Sequence, residues 1–198
     1  MCAIVVSPTV PRNNAHAMHI VPLTEAHATA YRNLMLQAYE EPDAFTSTPQ
    51  ERAAAPASFW VERVAHPKGL SVAFGAFDGE ELVGTVTLEF SDRAKTRHKA
   101  HVVGMYVRPE QQGKGQGTTL LAAALAHAHA QPHVMVLNLT VTEGNIAALA
   151  LYERAGFKAF GTEPLAISTP DGFKAKVHMW MPVRVQGGGN VHSDDNER

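Results

Sequence analysis

Cysteine is nearly absent from this 198-residue chain. Its one cysteine, Cys2, sits at the extreme N-terminus, so no intramolecular disulfide can form and a cysteine-rich zinc site is excluded. Neither charge is in surplus: seventeen Lys+Arg stand against nineteen Asp+Glu, a formal charge of -2, without the broad positive field of a general nucleic-acid binder. Residues 187–198 carry Asp194, Asp195, Glu197 and Arg198, so the -2 belongs to them and the rest of the chain is balanced. No apolar run approaches the roughly 18 residues of a membrane span. The short apolar start, MCAIVV, follows no basic residue and is broken by Pro8 and Pro11, which argues against a secretory signal and leads us to expect a cytoplasmic protein.

What is present reads as one domain. Hydrophobic residues make up 45% and charged residues 18%, and neither an internal repeat nor a long polar linker divides the chain. Residues 1–17 lack periodicity and are expected to be flexible; residues 184–198, with Gly187, Gly188 and Gly189 leading into a polar end, are expected to be a disordered tail. The domain is then 18–183. MHIVPL reads as a first strand, and Thr24 and Glu25 open a helix over Ala26–Tyr39 whose Tyr31, Leu34, Met35 and Ala38 recur at helical spacing, with Pro42 as its stop. Short helical pieces over Pro49–Arg52 and Ser58–Val64 show no clear cap. Ser71–Phe77 and Glu81–Phe90 flank an Asp78–Gly79 turn, a hairpin signal.

His101–Val107 is a third β run, and Thr118–Ala130, rich in Ala and Leu, is a helix stopped by Pro132. Val134–Val141 is apolar enough for an interior strand, and a helix from Asn145 to Arg154 ends at Gly156. Two last strands are expected near Phe157–Glu163 and Val177–Pro182. This order predicts an α/β (α+β) fold with a mixed sheet.

The most informative segment is VRPEQQGKGQGTTLL, residues 107–121, a strand followed by glycines at 113, 115 and 117 and then a helix. Glycine admits close backbone approach, and the amides of the loop and first helical turn favour negative charge, so the segment reads as a diphosphate cradle. Two nucleotide motifs fail on it. With Lys114 as its lysine, a P-loop needs glycine at 108 and Ser or Thr at 115, where the chain has Arg108 and Gly115. G-x-G-x-x-G needs a third glycine at Thr118 or at Leu120.

What fits instead is [QR]-x-x-G-x-[GA] over Gln112–Gly117, together with N-x-x-A-x-x-L-Y-x-x-x-G-F at Asn145, Ala148, Leu151, Tyr152, Gly156 and Phe157. These two segments closely resemble the acetyl-CoA-binding loop and a later helix of the GNAT family of N-acyltransferases. The resemblance extends from about His19 to Val183 and is concentrated in 101–157. It implies a twisted sheet whose fourth and fifth strands, here 101–107 and 134–141, splay apart to admit acyl-CoA, the ligand satisfying backbone groups left without a neighbouring strand. It further implies acetyl-CoA as cosubstrate, pantetheine against the main chain near Met105 and Val107, and the diphosphate on Gln112, Gly113, Lys114, Gly115, Gln116, Gly117 and Thr118.

On that resemblance Tyr152 lies near the CoA sulfur, where a phenol of pKa about 10 protonates or hydrogen-bonds a departing thiolate. Asn145 is read both as a partner of the pantetheine arm and as a helix N-cap. The Val107 N–H is the expected oxyanion donor. A lysine ammonium is neutral in about one molecule in 2,500 at pH 7 and an α-amine in roughly one in six, so lysine-like acceptors need a base more urgently. Some lysine-modifying relatives place a carboxylate near the start of the fourth strand. His101 holds that place here, sharing strand parity with Val103, Met105 and Val107, and is either that base or a structural histidine. Glu89 is the other candidate, against a solvated strand-end carboxylate.

Arg93, Lys95, Arg97, His98 and Lys99 read as a solvated basic loop. His127, His129 and His133 do not read as a metal site, because 127 and 129 face different sides of a helix and Pro132 interrupts the 129/133 spacing. The expected function is acetyl transfer from acetyl-CoA to a primary amine, on a small molecule or a protein, by direct attack in a ternary complex, since the core holds no nucleophilic cysteine. A non-catalytic acyl-CoA-binding regulatory module and a transferase for a longer acyl-CoA are the alternatives. No nucleic-acid, membrane or metal partner is expected, and a homodimer is allowed. Acceptor contacts are expected from about Tyr31–Trp60 and Glu163–Val177.

Overall fold

The computed structural model describes residues 18–41 and 43–183; the segments expected to be flexible, 1–17 and 184–198, and the helix stop at Pro42 lie outside the described residues. The strands are β1 (His19–Pro22), β2 (Ser71–Asp78), β3 (Glu81–Phe90), β4 (Lys99–Val107), β5 (Val136–Thr142), β6 (Lys158–Thr169) and β7 (Gly172–Pro182). The helices are α1 (Ala28–Ala38), α2 (Pro49–Ala53), α3 (Ala57–Val64), α4 (Gln116–Ala130) and α5 (Ile146–Arg154). All seven strands join one sheet in the order β1-β2-β3-β4-β5-β7-β6. Only β4 and β5 run parallel; the other neighbours are antiparallel.

Both faces of the sheet are covered. On one, α4 closes a core of Val86, Leu88, Leu120, Leu121, Leu137 and Met179, which Tyr152 of α5 joins. On the other, α1 and α3 bury Tyr31, Leu34, Met35, Trp60 and Val64. Each such side chain removed from water contributes about 1.5–3 kcal/mol. Because β3 lies between two apolar layers, Leu82 to Leu88 are buried without interruption and show no in-out alternation.

The parallel pair is where the sheet opens. β4 and β5 are in register only at Lys99 with Val136, Ala100 with Leu137 and His101 with Asn138. Beyond His101 the two strands part, so the splay that the family resemblance implies is present at the expected strands.

A β-bulge then re-aims β4. Between the pairs Thr87–Val103 and Thr85–Tyr106, β4 spends one residue more than β3. Gly104 sits there with φ of +61°, and a Cβ on it would lie 3.4 Å from the Tyr31 hydroxyl. The extra residue inverts the alternation. Ala100 and Val102 face the α4 core before the bulge, Met105 and Val107 face it afterwards, and Tyr106 turns to the α1 side. The parity expected for His101 therefore holds with Val103 but not with Met105 or Val107.

The last hairpin is longer than the sequence pattern suggests. β6 is an edge strand exposed at every position from Lys158 to Leu165, so it carries no hydrophobic period to read. The turn signal was present in Thr169–Pro170–Asp171–Gly172: the Thr169 hydroxyl donates to the Gly172 carbonyl at 2.9 Å, and Gly172 has φ of +116°. A cap was also legible in Thr48–Pro49–Gln50–Glu51. The Glu51 N–H donates to Thr48 Oγ1 at 3.2 Å and the Thr48 N–H to Glu51 Oε2 at 2.8 Å, a capping box that starts α2.

Candidate active site

The gap between β4 and β5 holds one cleft in two halves that share Ala44, Met105, Asn145 and Ala148. The outer half, about 720 Å³, is walled by the glycine loop, the start of α4 and α5. The inner half, about 250 Å³, reaches Tyr152 between the strands.

The outer wall is built to receive an anion. Gly113 and Gly115 have φ of +73° and +84°, and a Cβ at either would meet nothing in the protein, so the space on that side is open. Gly115 is the N-cap of α4; no side chain caps this end, and no acidic residue stands in its first turn. The first amides of the helix, Gln116, Gly117 and Thr118, thus lack intrahelical acceptors, and all three residues line the groove. An uncapped helix start with open space before it fits the diphosphate of acyl-CoA. Arg154, at the end of α5, also lines the groove and was not singled out by the sequence motif, where it occupies an unmarked position.

Nine of the ten residues expected to bind the cofactor line this cleft; Lys114 does not. Its ammonium donates to Gln111 Oε1 at 3.0 Å, and Gln111 Nε2 in turn donates to Asp78 Oδ2 at 3.0 Å, while Arg108 pairs with Glu81. These ties fasten the loop to the β2–β3 hairpin and turn the lysine aside. Gln112 is engaged as well, its Nε2 donating to the Val107 carbonyl at 2.9 Å. Since the Arg108 N–H donates back to Val83 on β3 at 2.9 Å, alternation turns the Val107 backbone toward the cleft, with its carbonyl taken and its N–H left for a ligand.

Asn145 caps α5: its Oδ1 accepts the Ala148 N–H at 3.0 Å, and it lines both halves of the cleft. The cap uses the amide oxygen and leaves its two N–H donors. Tyr152 is buried in the inner half, packed edge-on against Phe157, and its hydroxyl has no hydrogen-bond partner among the described residues. Desolvation raises its pKa above the ordinary tyrosine value, so the phenol stays protonated at neutral pH and can donate.

The two candidate bases lie elsewhere. Glu89 and His101 face each other across β3 and β4, and neither lines the cleft. The Glu89 carboxylate is held by Arg63. Desolvation, and secondarily the Lys99 ammonium, lowers the pKa of His101, keeping its imidazole neutral at pH 7.

Sequence reasoning missed the cations of the inner half. Arg52 of α2, Arg63 of α3 and Lys176 of β7 all line it, and among the described residues no Asp or Glu does. They come from three separate segments, and no local pattern joins them. The expected acceptor regions are represented by Tyr39, Arg52 and Lys176. The histidines of α4 and its following loop are packed or bonded instead of clustered: His127 against Phe74 and Phe90, His133 against Phe90, and His129 Nδ1 against the Leu125 carbonyl. Among the described residues no helix is long and apolar enough to cross a membrane.

The profile of the Acetyltransferase (GNAT) family matches residues 30–157. An L-methionine sulfoximine/L-methionine sulfone acetyltransferase of Pseudomonas aeruginosa is 44% identical over 61 residues, 30% of this chain and 34% of that protein. An aminoglycoside N(6')-acetyltransferase type 1 of Klebsiella pneumoniae is 37% identical over 62 residues, 31% of this chain and 29% of that protein. The chain thus spans about a third of the length of these relatives. In fold it is similar to a putative acetyltransferase from Salmonella typhimurium solved with its cofactor acetyl-CoA, at a TM-score of 0.73 and 17% identity, covering 88% of this chain and 99% of that one.

Proposed function

This chain belongs to the Acetyltransferase (GNAT) family, and from that premise we propose that it transfers an acetyl group from acetyl-CoA to a primary amine within a ternary complex. The observation that carries the reading is Tyr152, a buried phenol whose hydroxyl has no hydrogen-bond partner among the described residues, in the inner half of a cleft whose outer half presents helix-start amides without a side-chain cap.

The loop amides and the uncapped start of α4 would hold the diphosphate, with Arg154 beside them. The Asn145 amide and the Val107 N–H would orient the pantetheine arm between β4 and β5. When bound there, acetyl-CoA supplies an acyl carbon activated as a thioester. The acceptor amine enters the inner half, its nitrogen forms the C–N bond, and the C–S bond breaks. Tyr152 donates a hydrogen bond to the sulfur as negative charge gathers on it.

An ordinary thiol has a pKa of about 8.5, below that of a buried phenol, so Tyr152 keeps its own proton at rest. It acts as general acid by relay, and the proton lost by the amine ends on sulfur. Any proton accepted by His101 or Glu89, both outside the cleft, travels through water.

The assay compares wild type with Tyr152→Phe. We expect kcat to fall about 10²-fold, the low end of general acid–base contributions, with acetyl-CoA affinity by calorimetry within twofold. Unchanged kcat would remove Tyr152 from the reaction.

The relatives leave the acceptor open in an instructive way. One is named for methionine derivatives, which carry a carboxylate, and the other for aminoglycosides, which carry several ammonium groups. The two classes differ in charge, so the charge of the inner half bears on which of them would fit.

A further inference from the structure

Resting on the transferase reading above, we infer that the acceptor is a small amine that carries its own carboxylate, held in the inner half of the cleft by Arg52 with support from Arg63 and Lys176. The charges on the wall argue for it. Among the described residues, three cationic side chains and no carboxylate line a cavity of about 250 Å³ that also contains Tyr152. A polycationic amine entering it would meet like charge in a partly dry space, where repulsion is poorly screened.

The three cations are not equivalent. Arg63 is neutralised by Glu89. Lys176 has Glu163 opposite it on β6, and Glu163 is shared with His178 at 3.2 Å. Arg52 forms no salt bridge among the described residues. The residue is half-buried, its guanidinium carbon lying 4.9 Å from the Phe59 ring centre and 5.6 Å from that of Tyr39. Those rings fix its direction but supply no anion. Glu51, its neighbour in the chain, is spent on its own helix cap.

Arg52 Nε and Thr142 Oγ1 are buried without a hydrogen-bond partner among the described residues, as are Trp60 Nε1 and Arg108 Nε away from this wall, and Thr142 as a whole is only 4% exposed. Such atoms are few in native proteins, where strain, water or a ligand accounts for them, so it is the charges of the wall that carry the inference. Desolvation also lowers the Lys176 pKa, with Glu163 opposing it, the condition a bound carboxylate would relieve.

The test measures CoA thiol release with matched acceptors: L-methionine, L-methioninamide, 3-(methylthio)propylamine and kanamycin. The amide's amine is the least basic of the methionine set and hence the most neutral at pH 7.5, so that bias runs against the expected order. We expect kcat/KM for L-methionine to exceed that for the amide and the decarboxylated amine by about 10–100-fold, the range of one charge-assisted contact, and kanamycin to be the poorest. Arg52→Gln should collapse the acid-to-amide ratio toward unity, and Arg52→Lys should retain part of it. Lys176→Met, which leaves the Arg52 stack intact, should lower the ratio by a smaller factor.

Equal or better turnover of the amide, the decarboxylated amine or kanamycin would overturn the carboxylate assignment and leave the transferase reading standing. An undiminished ratio in both Arg52→Gln and Lys176→Met would overturn the assignment to these residues. Acetyl-CoA binding by calorimetry with no transfer to any amine would overturn the transferase reading itself, and this inference with it.

Discussion

Tyr152 and Phe157 are joined twice: the Phe157 N–H donates to the Tyr152 carbonyl at 3.0 Å, and the two rings meet edge to face at 5.7 Å. Gly156 makes both contacts possible. It follows α5 with φ of +102°, and its own N–H donates to Glu153 at 3.0 Å, which completes a Schellman ending. The G-F of the motif is thus the device that aims the tyrosine into the cleft. Gly156→Ala would force a side chain into the left-handed region against Met181 Sδ, 3.5 Å from the built Cβ. We expect a loss of about 1–2 kcal/mol in denaturant unfolding and a drop in kcat larger than any change in KM for acetyl-CoA. A shift in KM alone would show that the ending does not position Tyr152.

The loop glycines separate strain from space. Gly115 is left-handed, whereas Gly117 has ordinary helical backbone and a built Cβ would lie 3.5 Å from Leu151, a normal contact. Gly115→Ala is expected to cost about 1–2 kcal/mol of stability and to weaken acetyl-CoA binding. Gly117→Ala should leave stability equal or up to about 1 kcal/mol higher, as Gly to Ala in a helix does, yet still weaken binding, because its side chain would occupy the groove. Calorimetric titration with acetyl-CoA beside thermal unfolding distinguishes the two.

His101 and Glu89 yield a pH prediction. Because the folded pKa of His101 is lowered, the ring is neutral from below its usual value upward. A rate limited by this base would be lost only as pH falls through that depressed pKa, and would be flat from pH 7 to 9. A rate limited by deprotonation of the acceptor amine rises through that same window. We expect the rise. A base in direct contact contributes about 10²–10⁴-fold; His101→Ala and Glu89→Gln should each lower kcat/KM by less than about tenfold.

The glycine loop and the Asn145–Phe157 segment of the cleft were more legible in the sequence than the cations of its inner half. Tyr152, Asn145 and the loop belong to two contiguous motifs whose local physics, a glycine in the left-handed region, an uncapped helix start and a Schellman ending, is written in neighbouring residues. The bulge was hinted at only by a lone glycine in a strand, Gly104, and it undid a parity argument that ran through it. Arg52, Arg63 and Lys176 meet through tertiary packing of α2, α3 and β7, and no spacing in the chain announces that meeting. β6 escaped full recognition because an exposed edge strand need not alternate.

The central claim is amine-dependent acetyl transfer in the β4–β5 cleft with Tyr152 at the sulfur. The most direct measurement incubates the purified chain with acetyl-CoA and the amine panel across pH 7–9, recording free CoA thiol and acetylated acceptor by mass spectrometry, for wild type and Tyr152→Phe. The account predicts thiol and acetylated amine in equal amounts, only when both substrates are present, and slowed about 10²-fold in the variant. Acetyl-CoA binding without transfer to any acceptor, or equal rates in wild type and Tyr152→Phe, would contradict it.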